Sequence, residues 1–189
     1  KSMGEAWPGC WARQNTRRGS RGSVKLKDYI REIPDFPRPG ILFRDITPLL
    51  KDVAAFQETV DQLVEYGASL HVDAIVGIDA RGFLLAAPLA YRLGKPLVPV
   101  RKEGKLPFQT HKVAYALEYG SGAVEVHIDA ISQGQRVLIV DDLLATGGTM
   151  AAAAKLVEAT GGRVAGLAVL VELAYLNGRG CLEGYDFLS

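Results

Sequence analysis

Cysteine is scarce in this chain: Cys10 and Cys181 are the two among 189 residues. Two cysteines so far apart make no disulfide framework, which fits a reducing compartment, and the expected location is the cytoplasm. Three histidines, His71, His111 and His127, have neither metal-ligand spacing nor a neighbouring nucleophile, so none is assigned a catalytic role. No apolar run approaches the roughly 20 residues that a membrane-spanning helix needs, and no apolar core of a secretory leader follows residue 1. A soluble protein without a membrane partner is expected. Neither sign of charge dominates: 22 Lys and Arg against 21 Asp and Glu leave a formal +1. That balance argues against a protein held mainly by nucleic-acid phosphates, although a local basic patch is compatible with it. Two common nucleotide motifs are also missing. No Gly-Lys-Ser/Thr closes a Walker loop, and no G-x-G-x-x-G is found.

What is present, 48% hydrophobic and 23% charged residues, fits one compact domain with a substantial core. Residues 1–23 differ from the rest, with Arg13, Arg17, Arg18 and Arg21 scattered among Gly, Ser, Asn and Gln. This composition reads as a disordered extension ahead of a domain spanning 24–189. A basic arm for an acidic partner and a cleaved targeting segment are the alternatives. From Val24 onwards the pattern alternates as α/β folds do. A short helix is expected over Lys25 to Ile33, a rigid extended stretch from Pro34 to Gly40, and an amphipathic helix from Asp52 to Leu70. Strands are expected at Ala74 to Ile78, Pro96 to Val100, Val137 to Val140 and Val164 to Val171, with a helix from Gly82 to Leu93. The predicted fold is α/β, a doubly wound and mainly parallel sheet with ligands at the carboxyl ends of its strands. Between Val100 and Val137 lie more than thirty residues without a convincing helix. Val113 to Tyr119, a Gly120-Ser121-Gly122 turn and alternating Val124, Val126 and Ile128 predict a flexible antiparallel hairpin lid over the site.

The most informative stretch is Val137-Leu-Ile-Val-Asp-Asp-Leu-Leu-Ala-Thr-Gly-Gly-Thr-Met150. Its apolar run suits a strand buried on both faces, with Asp141 and Asp142 expected where the strand leaves the sheet. Ala145, Thr146, Gly147, Gly148 and Thr149 then lead into the helix-forming run Met150 to Ala159. A strand, a glycine turn and a helix N-terminus make a cradle of N–H groups for a phosphate, and the paired acids can accept hydrogen bonds from neighbouring sugar hydroxyls. The implied ligand is a ribose 5-phosphate. At the end of Ala74 to Ile78, Asp79, Ala80 and Arg81 form a second turn into a helix. Alone it is equally a capped helix start with a solvent-facing arginine; beside the first motif it suits a pyrophosphate. Arg101, Lys102 and Lys105 follow the strand that ends at Val100 and place cations at the same rim.

The stretch from Val137 to Met150 closely resembles the signature of the type I phosphoribosyltransferases, whose loop binds phosphoribosyl pyrophosphate (PRPP). Asp35-Phe-Pro-Arg-Pro-Gly-Ile-Leu-Phe-Arg-Asp-Ile-Thr-Pro48, Arg101 to Pro107 and Leu117-Glu118-Tyr119-Gly120 resemble the adenine enzymes of that family, and the likeness runs from about Val24 to Glu172. The resemblance implies transfer of phosphoribose from PRPP to N9 of adenine, giving AMP in purine salvage. It places Phe43 against the purine ring, with the backbone of Leu42 and Arg44 reading the ring edge. Glu118 would handle the purine proton, making Glu118, Arg81 and Asp142 the catalytic set. Asp141, Asp142 and Ala145 to Thr149 would bind ribose and its 5-phosphate, and Asp79, Ala80, Arg81, Arg101, Lys102 and Lys105 the pyrophosphate. Mg²⁺ held mainly through PRPP, a homodimer, and a non-proline cis peptide at Asp79-Ala80 are also implied. Read without the family, Glu118 is a surface carboxylate beside a turn and Phe43 a core aromatic. Relatives continue beyond Gly184-Tyr-Asp, so a shortened C-terminus is expected. Enzymes of the same fold acting on hypoxanthine, guanine, xanthine or orotate are the nearest rivals, and the two adenine-type segments oppose them. A DNA-binding regulator would need a recognition module that residues 1–23 cannot form. A receiver-like acidic pocket leaves the phosphate cradle unexplained.

Overall fold

A computed structural model describes residues 24–116 and 121–189. Residues 1–23, and Leu117 to Gly120 with Glu118 among them, lie outside the described residues. The expected helix over Lys25 to Ile33 is corrected: a 3₁₀ turn covers Leu26–Tyr29, and strand β1 takes Arg31–Ile33. β1 pairs antiparallel with β2, Phe43–Asp45, through Ile33↔Phe43, Glu32↔Arg44 and Arg31↔Asp45. Helix α1, Thr47–Lys51, follows, with Pro48 in its first turn, where a missing N–H removes no intrahelical bond. Helix α2, Val53–Ser69, begins after Asp52, whose carboxylate accepts from the Ala55 N–H at 2.9 Å. It buries Ala55, Thr59, Val60, Leu63 and Gly67, a stripe at helical spacing.

The main sheet follows the doubly wound expectation. β3, Ala74–Ile78, is buried throughout and leads through α3, Gly82–Leu93, to the parallel strand β4, Leu97–Lys102. β5, Thr110–Ala116, and β6, Ser121–His127, form the expected hairpin. β7, Arg136–Leu144, pairs parallel with β3 on the side opposite β4. It continues through α4, Gly148–Ala159, to β8, Arg163–Glu172, with β9, Phe187–Leu188, at the edge. Strand order is β5-β6-β4-β3-β7-β8-β9. The chain therefore winds one way from β3 and the other way from β7, and the crevice beyond their carboxyl ends is a topological switch point.

Three further expectations change. β7 does not end at Val140 but carries Asp141 and Asp142 as strand residues, because its ladder with β8 continues through Asp141↔Val169 and Leu143↔Val171 to Leu144↔Glu172. β4 likewise starts at Leu97 and runs on to Lys102 rather than stopping at Val100. The hairpin is also part of the main sheet: β6 pairs antiparallel with β4 and extends it, with Val124 and Val126 buried in the core. Alternation along the strands divides that core into two layers. Val76, Ile78, Val137 and Ile139 face α4 and the hairpin, whereas Ile75, Leu138 and Val140 face α2 and α3.

Candidate active site

Asp142 follows Leu138 and Val140 on the α3 side of β7, and only 4% of it is exposed. A carboxylate so buried needs a partner. Arg81, the residue ahead of α3, supplies it: its Nε donates to Asp142 Oδ2. The Asp142 N–H in turn donates to Asp141 Oδ1 at 2.8 Å. Burial, and after it the neighbouring Asp142 charge, push the Asp141 carboxyl well above the usual carboxylate range. The two acids read from the sequence as equivalent acceptors are thus unlike: one is paired, the other strained by its surroundings.

The glycine loop is held from behind. Gly147 has φ +85°, a left-handed conformation that suits glycine, and a Cβ there would lie 2.3 Å from the Gly178 carbonyl oxygen. A Cβ on Gly178 would meet the Ala145 carbonyl oxygen at the same 2.3 Å. The 3₁₀ turn Gly178–Leu182 therefore lies directly against Ala145 to Gly147, and Cys181 Sγ reaches the Thr146 carbonyl at 3.4 Å. Sequence reading missed this contact, since 30 residues separate its partners and only the glycines mark it. No side chain caps the start of α4. Its first amides, together with those of Thr146 to Thr149, remain for an anion.

Asp79 and Ala80 join through a cis peptide, as the resemblance implied. Asp79 Oδ2 accepts from Arg101 Nε at 3.2 Å, and Arg101 Nη1 donates to the Lys105 carbonyl at 3.4 Å. Arg101 is thereby tied to both the β3–α3 turn and the β4–β5 loop. Lys102, the last residue of β4, and Lys105 on that loop are both exposed. Glu125 of β6 is buried under the loop, where it accepts from the Lys105 and Leu106 amides.

On the other flank of Arg81, a cavity of about 350 Å³ is lined by Ile33, Phe36, Phe43, Arg44, Asp45, Ile46, Thr47 and Arg81. Phe36 meets Phe43 edge to face, with centroids 5.2 Å apart. The Arg81 guanidinium carbon lies 5.7 Å from the Phe43 centroid, within cation–π reach. Asp45 fixes the wall by accepting from the N–H and the hydroxyl of Thr47, each at 2.9 Å. Chiefly through the Thr47 amide, its carboxyl lies below its ordinary value. Arg44 turns its guanidinium to Glu32. Leu42 is half-buried just before β2 and is not among the residues lining the cavity. Phe36 and Thr47 belong to segments the sequence marked; that Ile33 joins them depends on the β1–β2 pairing.

Residues 45–180 match the phosphoribosyl transferase domain. The chain is 59% identical over 167 residues to the adenine phosphoribosyltransferase of Desulfitobacterium hafniense, covering 88% of this chain and 96% of that one. The chain belongs to the adenine phosphoribosyltransferase family. Among solved structures of the family, the Thermoanaerobacter pseudethanolicus enzyme superposes with a TM-score of 0.83 at 56% identity, covering 86% of this chain and 94% of that one. The Saccharomyces cerevisiae enzyme, crystallised with adenine and an imino-altritol bisphosphate, gives 0.81 at 41% identity, over 86% and 94%. The segments that resemble phosphoribosyltransferases thus belong to a likeness extending over most of the chain.

Proposed function

We propose that this chain transfers the 5-phosphoribosyl group of PRPP to N9 of adenine, releasing pyrophosphate and forming AMP. One observation carries the reading. The aromatic cavity and the acidic end of β7, just ahead of the glycine loop, share Arg81, which lies over Phe43 and pairs with Asp142. A base on Phe43 and a ribose phosphate on the loop would meet at that guanidinium. The yeast relative, bound to adenine and a bisphosphate, supports the same pair of ligands.

In this reading the amides from Ala145 to Thr149 take the 5-phosphate, while Asp141 and Asp142 accept from the ribose hydroxyls. Arg81 leaves Asp142 for the pyrophosphate. As the C1′–O bond breaks and the C1′–N9 bond forms, the sugar gains oxocarbenium character and the pyrophosphate gains charge. Arg81, Arg101, Lys102 and Lys105 stabilise that charge. The purine proton passes by way of N7 to Glu118. Among the described residues no group of three or more carboxylates, histidines or cysteines forms a protein cage for a metal. Mg²⁺ held mainly through PRPP would neutralise pyrophosphate charge. The cytoplasm, where cysteines stay reduced, is the proposed location. No described helix is long and apolar enough to cross a membrane.

β2 has one strand neighbour, so half of its backbone groups face away from β1. Around Leu42 and Arg44 a carbonyl would accept from the adenine amine while an amide donates to N1. Hypoxanthine inverts both contacts, at about 1–3 kcal/mol for each unsatisfied group. Incubation with PRPP, Mg²⁺ and a panel of bases is expected to yield AMP from adenine and no appreciable IMP or GMP. Comparable kcat/KM for hypoxanthine or guanine would overturn the base assignment. Glu118→Gln is expected to lower kcat by roughly 10²–10⁴-fold with little change in the KM for adenine, the range general acid–base groups contribute. An unchanged kcat, with chemistry rate-limiting, would remove Glu118 from the reaction.

A further inference from the structure

Glu125 is 5% exposed and lies outside the residues assigned to substrate above. On β6 it stands opposite Arg101 of β4 and Lys112 of β5, at the centre of the three strands that carry the cationic rim. Its Oε1 accepts from the N–H groups of Lys105 at 2.9 Å and Leu106 at 3.0 Å, and its Oε2 from the Thr110 hydroxyl at 3.3 Å. The peptide between Lys105 and Leu106 joins Glu125 to Arg101: its Leu106 N–H donates to Glu125, and its Lys105 carbonyl accepts from Arg101 Nη1 at 3.4 Å. The far end of Arg101's network is Asp79, beside the cis peptide.

We infer that Glu125 is a positioning residue for pyrophosphate: it fixes the β4–β5 loop so that Arg101 and Lys105 present their charges to the anion together. The inference rests on the phosphoribosyl-transfer reading above. The sign of the charge sharpens it. A carboxylate beside an anion site repels the ligand, so what Glu125 contributes must come from the reach and number of its acceptor oxygens. Those oxygens are fully engaged. Burial pushes the carboxyl up, yet donation from the Leu106 and Lys105 amides, the Thr110 hydroxyl and the Gly104 amide outweighs it and leaves the group below its ordinary value. At neutral pH it is an ionised acceptor turned towards the loop.

Reach and charge can be separated by substitution. Glu125→Gln keeps the length and one acceptor oxygen for both amides while removing the charge. Glu125→Asp keeps the charge and withdraws the oxygens by one methylene. We expect Glu125→Asp and Glu125→Ala to raise the KM for PRPP on the order of tenfold, with the KM for adenine nearly unchanged and Glu125→Gln within about threefold of wild type. Calorimetric titration with Mg²⁺ and inorganic pyrophosphate should show the same order of affinities. A residue with only a structural role would lower the melting temperature and the active fraction without this split. Wild-type pyrophosphate affinity in Glu125→Asp, or a Glu125→Gln protein as impaired as Glu125→Asp, would overturn the inference. If Glu125→Ala does not fold, the Asp and Gln variants decide. A wild-type protein that forms no AMP yet binds pyrophosphate would fail the transfer reading alone, and the titrations would still test Glu125.

Discussion

Asp141 and Asp142 stand next to each other on β7 yet meet different surroundings. Asp142 has the Arg81 guanidinium, whereas Asp141 has burial and a like charge. A carboxyl raised in the fold stabilises the native state most when protonated. That contribution is complete below the unfolded-state value and is lost as pH rises through the higher folded value. Asp141→Asn removes a carboxyl whose charged form the fold disfavours. It should melt roughly 2–4 °C higher for each ~1 kcal/mol regained, measured at about pH 8, with the gain shrinking towards about pH 4. The same variant should use PRPP less well, since an amide loses charge-assisted acceptance from a ribose hydroxyl. Asp142→Asn should share that loss, on the order of 1.5–3 kcal/mol in kcat/KM, without the gain in melting temperature. Coincident melting profiles for wild type and Asp141→Asn at both pH values would refute the burial argument. At this scale the sequence identified the acids and could not distinguish them, because burial and partnership are properties of place.

Among the elements, the glycine loop depends on a segment far along the chain. The 3₁₀ turn from Gly178 leaves no room for a side chain at Gly147, and the loop's left-handed residue makes one costly besides. Gly147→Ala should cost about 1–2 kcal/mol for backbone strain alone and more through the clash with the Gly178 carbonyl. Urea unfolding would measure the stability, and the KM for PRPP should rise as the loop is displaced. A variant with unchanged midpoint and unchanged KM would mean that the turn yields freely. The elements themselves were legible wherever periodicity is strong: α2, α3 and β3 fall within a residue of expectation. Short elements were not. β1 is three residues of Arg-Glu-Ile whose only reason to be extended is the pairing with β2. β7 runs past Val140 because β8 offers partners for Asp141, Leu143 and Leu144, which residue type does not foretell.

At the scale of the whole molecule, the sheet order brings together segments that the chain keeps apart. The turn after β3, the carboxyl end of β7 and the cavity beside β2 meet around Arg81 because β3 and β7 are neighbours whose connecting helices leave in opposite directions. The outer surface carries a further expectation. Leu84 and Tyr91, one heptad apart on α3, are 48% and 76% exposed. They suit the homodimer that the family implies, and we propose that state here. Light scattering should give twice the 20.4 kDa of the chain, and a mass of one chain at micromolar concentration would exclude it.

The sequence by itself determined the chemistry on offer. A strand, two acids and a glycine turn before a helix imply a ribose-phosphate ligand from local geometry, because a helix N-terminus and its preceding turn are built from consecutive residues. The alternation of strands and helices likewise implied the winding. Only the tertiary structure decided which acid is paired, that Phe43 and Arg81 share one cavity, that Glu125 lies under a loop rather than on the surface, and that the hairpin continues the sheet. These follow from contacts between residues tens of positions apart, where hydrogen-bond partners and exclusion of water depend on the packed sheet and not on neighbours in the chain.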